Sequence, residues 1–348
     1  MTGRGIDQIL RAPCDPAIGE PWVKSALDYV RLAERASGPI PRAAGPAYIW
    51  GDALEELARA EPDARIVNLE TALTSCDERA PKGINYRMSP ANAACLTAAR
   101  IDCCVLANNH VLDWGRAGLV ETLDTLQALG IRTAGAGRNA AQAEAPARLP
   151  GNLLVFAFAM ESAGVPAEWA ASATGAGVNV LPDLSSQTTD RVADRILSTK
   201  RAGDIAVVSI HWGANWGYGV SHPRRSFARR LIDAGAADLV HGHSAHHPGP
   251  IEIYRERLIL YACGDFLNDY EGISGHESFR PELTLMYFPT LDAASGKLVQ
   301  LALSPMRLRG FRLNYASSEE AEWLAAVLRR EGKLAVERTP EGRLRIPV

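Results

Sequence analysis

Along the chain, apolar residues arrive in short β-rich bursts separated by stretches of helical period. IVNL (66–69), DCCVLA (102–107), LLVFAFA (153–159), DIAVVSI (204–210), ADLV (237–240) and RLILYA (257–262) are brief and rich in β-branched and aromatic residues, which favours strands. Between them, PANAACLTAAR, AGLVETLDTLQALG, TTDRVADRILSTKRAG and PRRSFARRLIDAG space their apolar residues as helices do, with Gly130 and Gly235 as stops. Strand alternating with helix predicts a largely parallel or mixed sheet covered on both faces. From about Pro248 the bursts follow one another directly (PIEIY, RLILYA, ELTLMYFP, KLVQLALSPMRL), which predicts hairpins or a second sheet. A last helix, SSEEAEWLAAVLRREG, follows, capped by Ser317 or Ser318. The Pro/Gly-rich stretch from Ser37 to Gly45 reads as a surface loop, and Asp52 as the N-cap of ALEELARA. No linker divides the chain. The expectation is one α/β domain over residues 1–348, with its core at about 1–310 and a strand-helix extension at 311–348.

The residues after each burst carry the chemistry. IVN runs into Asn68-Leu69-Glu70, CCVLA into Asn108-Asn109-His110, AVVSI into His211-Trp212-Gly213, ADLV into His241-Gly-His-Ser-Ala-His-His247, and LILYAC into Gly264-Asp265-Phe266. Carboxyl ends of strands in an α/β sheet converge on one crevice. These segments therefore aim imidazoles, carboxylates and an amide at one place. Such donors suit a divalent transition metal such as Mn, Fe or Zn. His243 and His246, three apart in a Gly-led turn, can bring two ring nitrogens to one side, while His241 belongs to the strand and His247 points elsewhere. Each residue has a structural alternative when taken singly: His211 a hydrogen-bonded core imidazole, Asn108 and Asn109 turn formers, Glu70 an early helix residue, Asp265 a turn cap.

Composition narrows the classes. The net charge of −3 and the scattering of Arg among acids argue against a nucleic-acid partner. Six cysteines without a CxxC pair read as thiols of a reducing compartment, and Cys103 and Cys104 as small buried hydrophobes. No apolar stretch approaches membrane-spanning length and no signal peptide is evident, so the chain as given reads as cytoplasmic.

NLETALT, LANNHVLDWG, HWG, LIDAGAADLVHGHSAHH, IEIY and YACGDF, in this order, resemble the CapA-type poly-gamma-glutamate capsule biosynthesis proteins. The resemblance runs from residue 1 to about 310 and is most specific in NNHxLDxG followed by GHxxH. It implies a fold similar to the calcineurin-like metallophosphoesterases, a two-sheet α/β sandwich with metal at the strand ends. By motif it implies Asn109, His211, His243 and His246 as metal ligands, Glu70 as a ligand or its neighbour, and His110 as the acid/base or phosphate-facing imidazole. Asp265, where many relatives have Asn, is implied as ligand, neighbour or orienter. Relatives begin with a strand ending in Gly-Asp, and Met1-Thr-Gly-Arg-Gly-Ile-Asp7 resembles the piece just after it. Either that strand lies upstream of Met1, which is the expectation and where the capsule role leaves room for a membrane anchor or signal, or the protein is a truncated form with a damaged site.

The function expected is metal-assisted acid/base chemistry on a peptide amide or phosphoester, with His110 and Asp265 as catalytic groups. Lys82, Arg87 and Arg224 are the candidate cations for an anionic peptide polymer or phosphoester. The alternatives are a metal-dependent peptide epimerase and a non-catalytic assembly factor that binds capsule-synthesis proteins.

Overall fold

The computed structural model describes all 348 residues as an α/β protein with mixed sheets and flanking helices. The first sheet is parallel, in the order β1 (Ile66–Asn68), β2 (Cys103–Val105), β3 (Arg132–Ala134). The second is larger and mixed. Its strands are β4 (Ala147–Leu149), β5 (Leu153–Met160), β6 (Val180–Leu181), β7 (Ile205–His211), β8 (Leu239–His243), β9 (Ile251–Tyr254) and β10 (Arg257–Leu260). Across it the order is β6-β5-β7-β8-β10-β9, with β4 paired to β5. The centre, β5-β7-β8-β10, is parallel, and the hairpin β9-β10 closes one edge.

A third, antiparallel sheet is built on the long pair β11 (Leu283–Leu291) and β12 (Leu298–Leu308). To it are added β13 (Leu313–Tyr315), β14 (Glu337–Arg338) and β15 (Leu344–Ile346). The consecutive strands after Pro248 thus divide. PIEIY and RLILYA stay with the second sheet, and the later two open the third. Residues 311–348 form strand, helix and hairpin, and Leu324, Leu328, Leu344 and Ile346 enter the main core.

Alternation along β5 and β7 shows how the second sheet is covered. Val155, Ala157 and Val207 face a core cluster of 60 buried residues, while Leu154, Phe156, Val208 and Ile210 face another of 21 on the opposite side. With both faces apolar, these strands read as continuous hydrophobic runs rather than alternating ones. The period of two then fixes where the polar residues of β7 and β8 go. Ser209 and His211 continue the row of Val207, and His241 and His243 that of Leu239, so all four lie on the inner face toward the larger core. Gly242, between the two imidazoles, faces the other way. A Cβ there would meet the Tyr261 carbonyl oxygen at 2.5 Å and that of Leu260 at 2.7 Å, so only glycine lets β8 lie this close to the next strand.

Two local expectations change. The helix Ala53–Ala60 does begin after Asp52, but that carboxylate caps nothing. It accepts instead from the Tyr315 amide (3.0 Å) and pairs with Arg312 (3.3 Å), because β13 runs past the helix start and supplies stronger partners. PANAACLTAAR makes a 3-10 turn, Pro90–Ala93, and then only the short helix Ala94–Ala98. All six cysteines are free thiols, and burial pushes that of Cys103 up to about 12. No helix is long and apolar enough to cross a membrane.

Candidate functional site

The first and second sheets present the carboxyl ends of their strands to each other. From the first come Glu70, just past β1, and the loop Asn108–Asp113, just past β2. From the second come His211, last residue of β7, and His243, last residue of β8, paired across the parallel ladder. The strand β8 therefore runs further than its apolar part suggests. His243 belongs to it and not to the turn, so His243 and His246 are not held side by side by a common loop.

Donor atoms meet where the two sheets face. His211 Nε2 lies 3.1 Å from Asn109 Oδ1 and 3.8 Å from Glu70 Oε1, so an imidazole, an amide oxygen and a carboxylate occupy one small volume. Behind them the donors are held in place. Asn68 Nδ2 donates to Glu70 Oε2 (2.8 Å), and Asn108 Nδ2 donates to Asn68 Oδ1 (3.0 Å) and to the Leu69 carbonyl (2.9 Å). Asn108 Oδ1 accepts the His110 amide at 3.1 Å. The tandem asparagines thus differ: Asn108 builds the loop, and Asn109 presents its oxygen.

On the other side a row of contacts leads inward along the inner face. His211 Nδ1 and His243 Nδ1 are 2.8 Å apart, His243 Nε2 lies 2.9 Å from Ser209 Oγ, and Ser209 Oγ lies 3.0 Å from His241 Nδ1. Burial, with little carboxylate nearby, holds these rings neutral. It pushes His211 and His241 down to about 4 and His243 well below the ordinary imidazole range. Glu70 opposes this shift only at His211.

His246 follows the opposite logic. Burial would lower it, but Asp265 at 3.1 Å, through charge and hydrogen bond, raises it. Asp265, itself buried, is in turn held below its ordinary value by His246. Asn268 Nδ2 donates to Asp265 at 3.0 Å. His247 stands apart, accepting the Gly217 amide on Nε2 (3.1 Å) and lying against Trp216 and Phe279. Trp216 and Tyr218 form this aromatic wall beside His246, whereas Trp212 is buried in the outer core.

The expected cations separate. Lys82 reaches the site but is bound within it, donating to Asp113 Oδ1 (2.7 Å) and to the Asn109 carbonyl (2.5 Å). Arg87 turns away, paired with Asp77 (2.7 Å), bonded to the Cys76 carbonyl (3.0 Å) and stacked on Trp114. Only Arg224 has no carboxylate partner. Its guanidinium packs against Gly213, next but one to His211, and donates to the Gly219 carbonyl. Burial lowers its pKa.

One buried ion cluster near the site had no sequence signal beyond a lone Arg-Gly. Arg4 pairs with Asp269 (2.6 Å) and Glu20 (2.8 Å), between the rings of Tyr29 and Tyr86. Tyr86 meets the His110 ring edge-on at 4.7 Å, and its hydroxyl meets that of Tyr270, which sits edge-on to His246. The Met1 ammonium donates to the Leu267 carbonyl (2.7 Å) in the same loop.

No three His, Cys, Asp or Glu side chains are grouped so as to hold a metal by themselves. The grouping that exists includes the Asn109 oxygen. With it, a carboxylate oxygen of Glu70 and the amide oxygen of Asn109 lie within 3.8 Å of His211 Nε2, donor types that suit a divalent transition metal.

Comparison with known proteins gives the lineage. The bacterial capsule synthesis protein family PGA_cap matches residues 1–270. A probable polyglutamine synthesis accessory protein of Mycobacterium tuberculosis is 47% identical, over 95% of this chain and 88% of that protein. The capsule biosynthesis protein CapA of Bacillus anthracis is 25% identical, over 55% of this chain and 46% of its own. The PGA biosynthesis protein CapA of Bacillus subtilis is 28% identical, over 47% and 41%. Taken with the strand-end residues described above, these matches show that the chain belongs to the bacterial capsule synthesis protein family PGA_cap.

Proposed function

We propose that this protein is a metal-dependent enzyme of poly-glutamate or capsule synthesis, with a metallophosphoesterase-like two-sheet sandwich, that acts by acid/base chemistry on a peptide amide or phosphoester. The observation that carries the reading is the meeting of Glu70, Asn109 and His211 across two sheets, within 3.8 Å of the His211 nitrogen. Nothing in the packing of a core requires an amide oxygen, a carboxylate and an imidazole to be brought together from segments so far apart in sequence.

Glu70, Asn109 and His211 would hold the ion, with His246 as a further ligand; His243, expected from its motif to be a ligand, has its two ring nitrogens against His211 and Ser209 and would instead orient His211. A divalent ion there would polarise the scissile carbonyl or phosphoryl oxygen and acidify a bound water. His110, on the same loop as Asn109, moves the proton. Arg224, with no carboxylate of its own, meets the negative charge of the substrate. Asp265 keeps His246 oriented.

Titration of the purified protein with Mn2+ and Zn2+ by calorimetry tests this reading. Saturable binding that is lost in Glu70→Gln and His211→Ala supports it. No binding by the folded wild type refutes it. The second reading, a non-catalytic accessory factor, is favoured by the word accessory in the name of the mycobacterial relative. It predicts that metal-free protein retains all of its effect on polymer synthesis in a reconstituted assay.

A further inference from the structure

Asp113 is fully buried within the NNHVLD loop, and the chemistry described so far does not use it. Two donors and the His110 ring converge on it. Lys82 Nζ reaches Oδ1 at 2.7 Å, while the Tyr86 amide (2.6 Å) and His110 Nδ1 (2.7 Å) share Oδ2. We propose that Asp113, itself fixed by Lys82, is a positioning residue that holds the His110 imidazole with Nδ1 protonated and Nε2 free to accept a proton. This rests on the reading of His110 as the proton mover.

The physical argument is one of matching. A carboxylate oxygen that already accepts the Tyr86 amide can only accept again, and Lys82 Nζ, 3.4 Å from the same ring nitrogen, donates at shorter range to Asp113 Oδ1 and the Asn109 carbonyl, so the ring nitrogen facing Oδ2 carries the hydrogen. In a neutral imidazole the other nitrogen is then the base. Tyr86, edge-on to the ring at 4.7 Å, blocks the alternative in which the ring rotates to offer Nε2 to Asp113. Lys82 is thereby reassigned: its charge holds a carboxylate and is not left for substrate. An amide at position 113 fails in either orientation. With its NH2 toward Lys82 it meets an ammonium; with its NH2 toward Tyr86 it meets an amide hydrogen and offers the ring a donor. The role is confined to this loop, since His110 and Asp113 are three residues apart and their partners Lys82 and Tyr86 both come from residues 82–86.

Ring tautomers of 15N-histidine-labelled, metal-free protein test the assignment, with His110 identified by the signal missing from His110→Gln. In alkaline buffer His110 is expected in the Nδ1-protonated form. Folded Asp113→Asn is expected to lose that form. An Nε2-protonated His110 in the wild type overturns the proposal, whether or not the variant folds. So does an unchanged tautomer in a variant whose circular dichroism matches the wild type. Because no metal is present, the outcome is separate from that of the metal titration.

Discussion

Replacing Arg4 by methionine isolates the cluster that ties the first residues to the site. The guanidinium is 2% exposed, and its partners Asp269 and Glu20 are 0% and 6% exposed. Methionine keeps much of the volume between Tyr29 and Tyr86 but removes the cation. Two carboxylates then remain buried with only the Gly5 amide and the Tyr29 hydroxyl as donors. Removing one partner of a buried ion pair costs about 3–5 kcal/mol. Loss of the contact with the two rings adds about 0.5–2 kcal/mol. Because relaxation lets water reach Glu20 first, the lower part of the combined range is expected, about 4 kcal/mol. Equilibrium urea unfolding followed by tryptophan fluorescence measures it. Adding Asp269→Asn to the Arg4→Met background should recover part of the loss, since it removes one orphaned charge. A loss below about 1 kcal/mol, or no recovery in the double variant, would refute the view that this is a desolvated, mutually dependent cluster.

Three other outcomes are expected. Asn68→Ala, which frees Glu70 Oε2 and disconnects Asn108, should weaken Mn2+ binding about 10–100-fold in calorimetry while leaving the fold intact. Ser317→Ala removes one half of a complete capping box with Glu320 and should cost about 1 kcal/mol in urea unfolding. Glu320 is buried, which opposes ionisation, yet the Ser317 amide and Arg307 hold its carboxyl below the ordinary value of 4.5. Its stabilisation is therefore complete above pH 4.5, where the unfolded chain is ionised, and is lost as pH falls through the lower folded value. Melting temperatures of wild type and Glu320→Gln should accordingly differ at neutral pH and converge in acid.

The strands were legible because burial on both faces leaves continuous apolar runs, and the helix ends because Ser317, Gly130 and Gly235 sit where caps and stops belong. The site was legible as a set of strand ends. What the sequence could not supply is register. That His211 pairs with His243 and Ser209 with His241 is a property of two strands laid side by side, and it decides which imidazoles touch. Partnership was hidden in the same way. Lys82 and Arg87 read as free loop cations because nothing along the chain says that Asp113 and Asp77, 31 and 10 residues away, lie beside them. The helix Ala26–Ser37 carries its own signal, Ser25 as cap and Ala26, Tyr29, Val30 and Ala33 along one face, but lies in a stretch whose neighbours are rich in proline.

The contact between Asn109 and His211 joins residues 102 apart in sequence and comes from two different sheets. Each sheet can assemble around its own strands, but the donors become neighbours only when the halves dock. Contacts of such long sequence separation slow folding, because loop-closure entropy is spent before they reward it. The Asn109–His211 contact would then report whether the two halves have docked, and a probe placed across it would ignore partly assembled molecules.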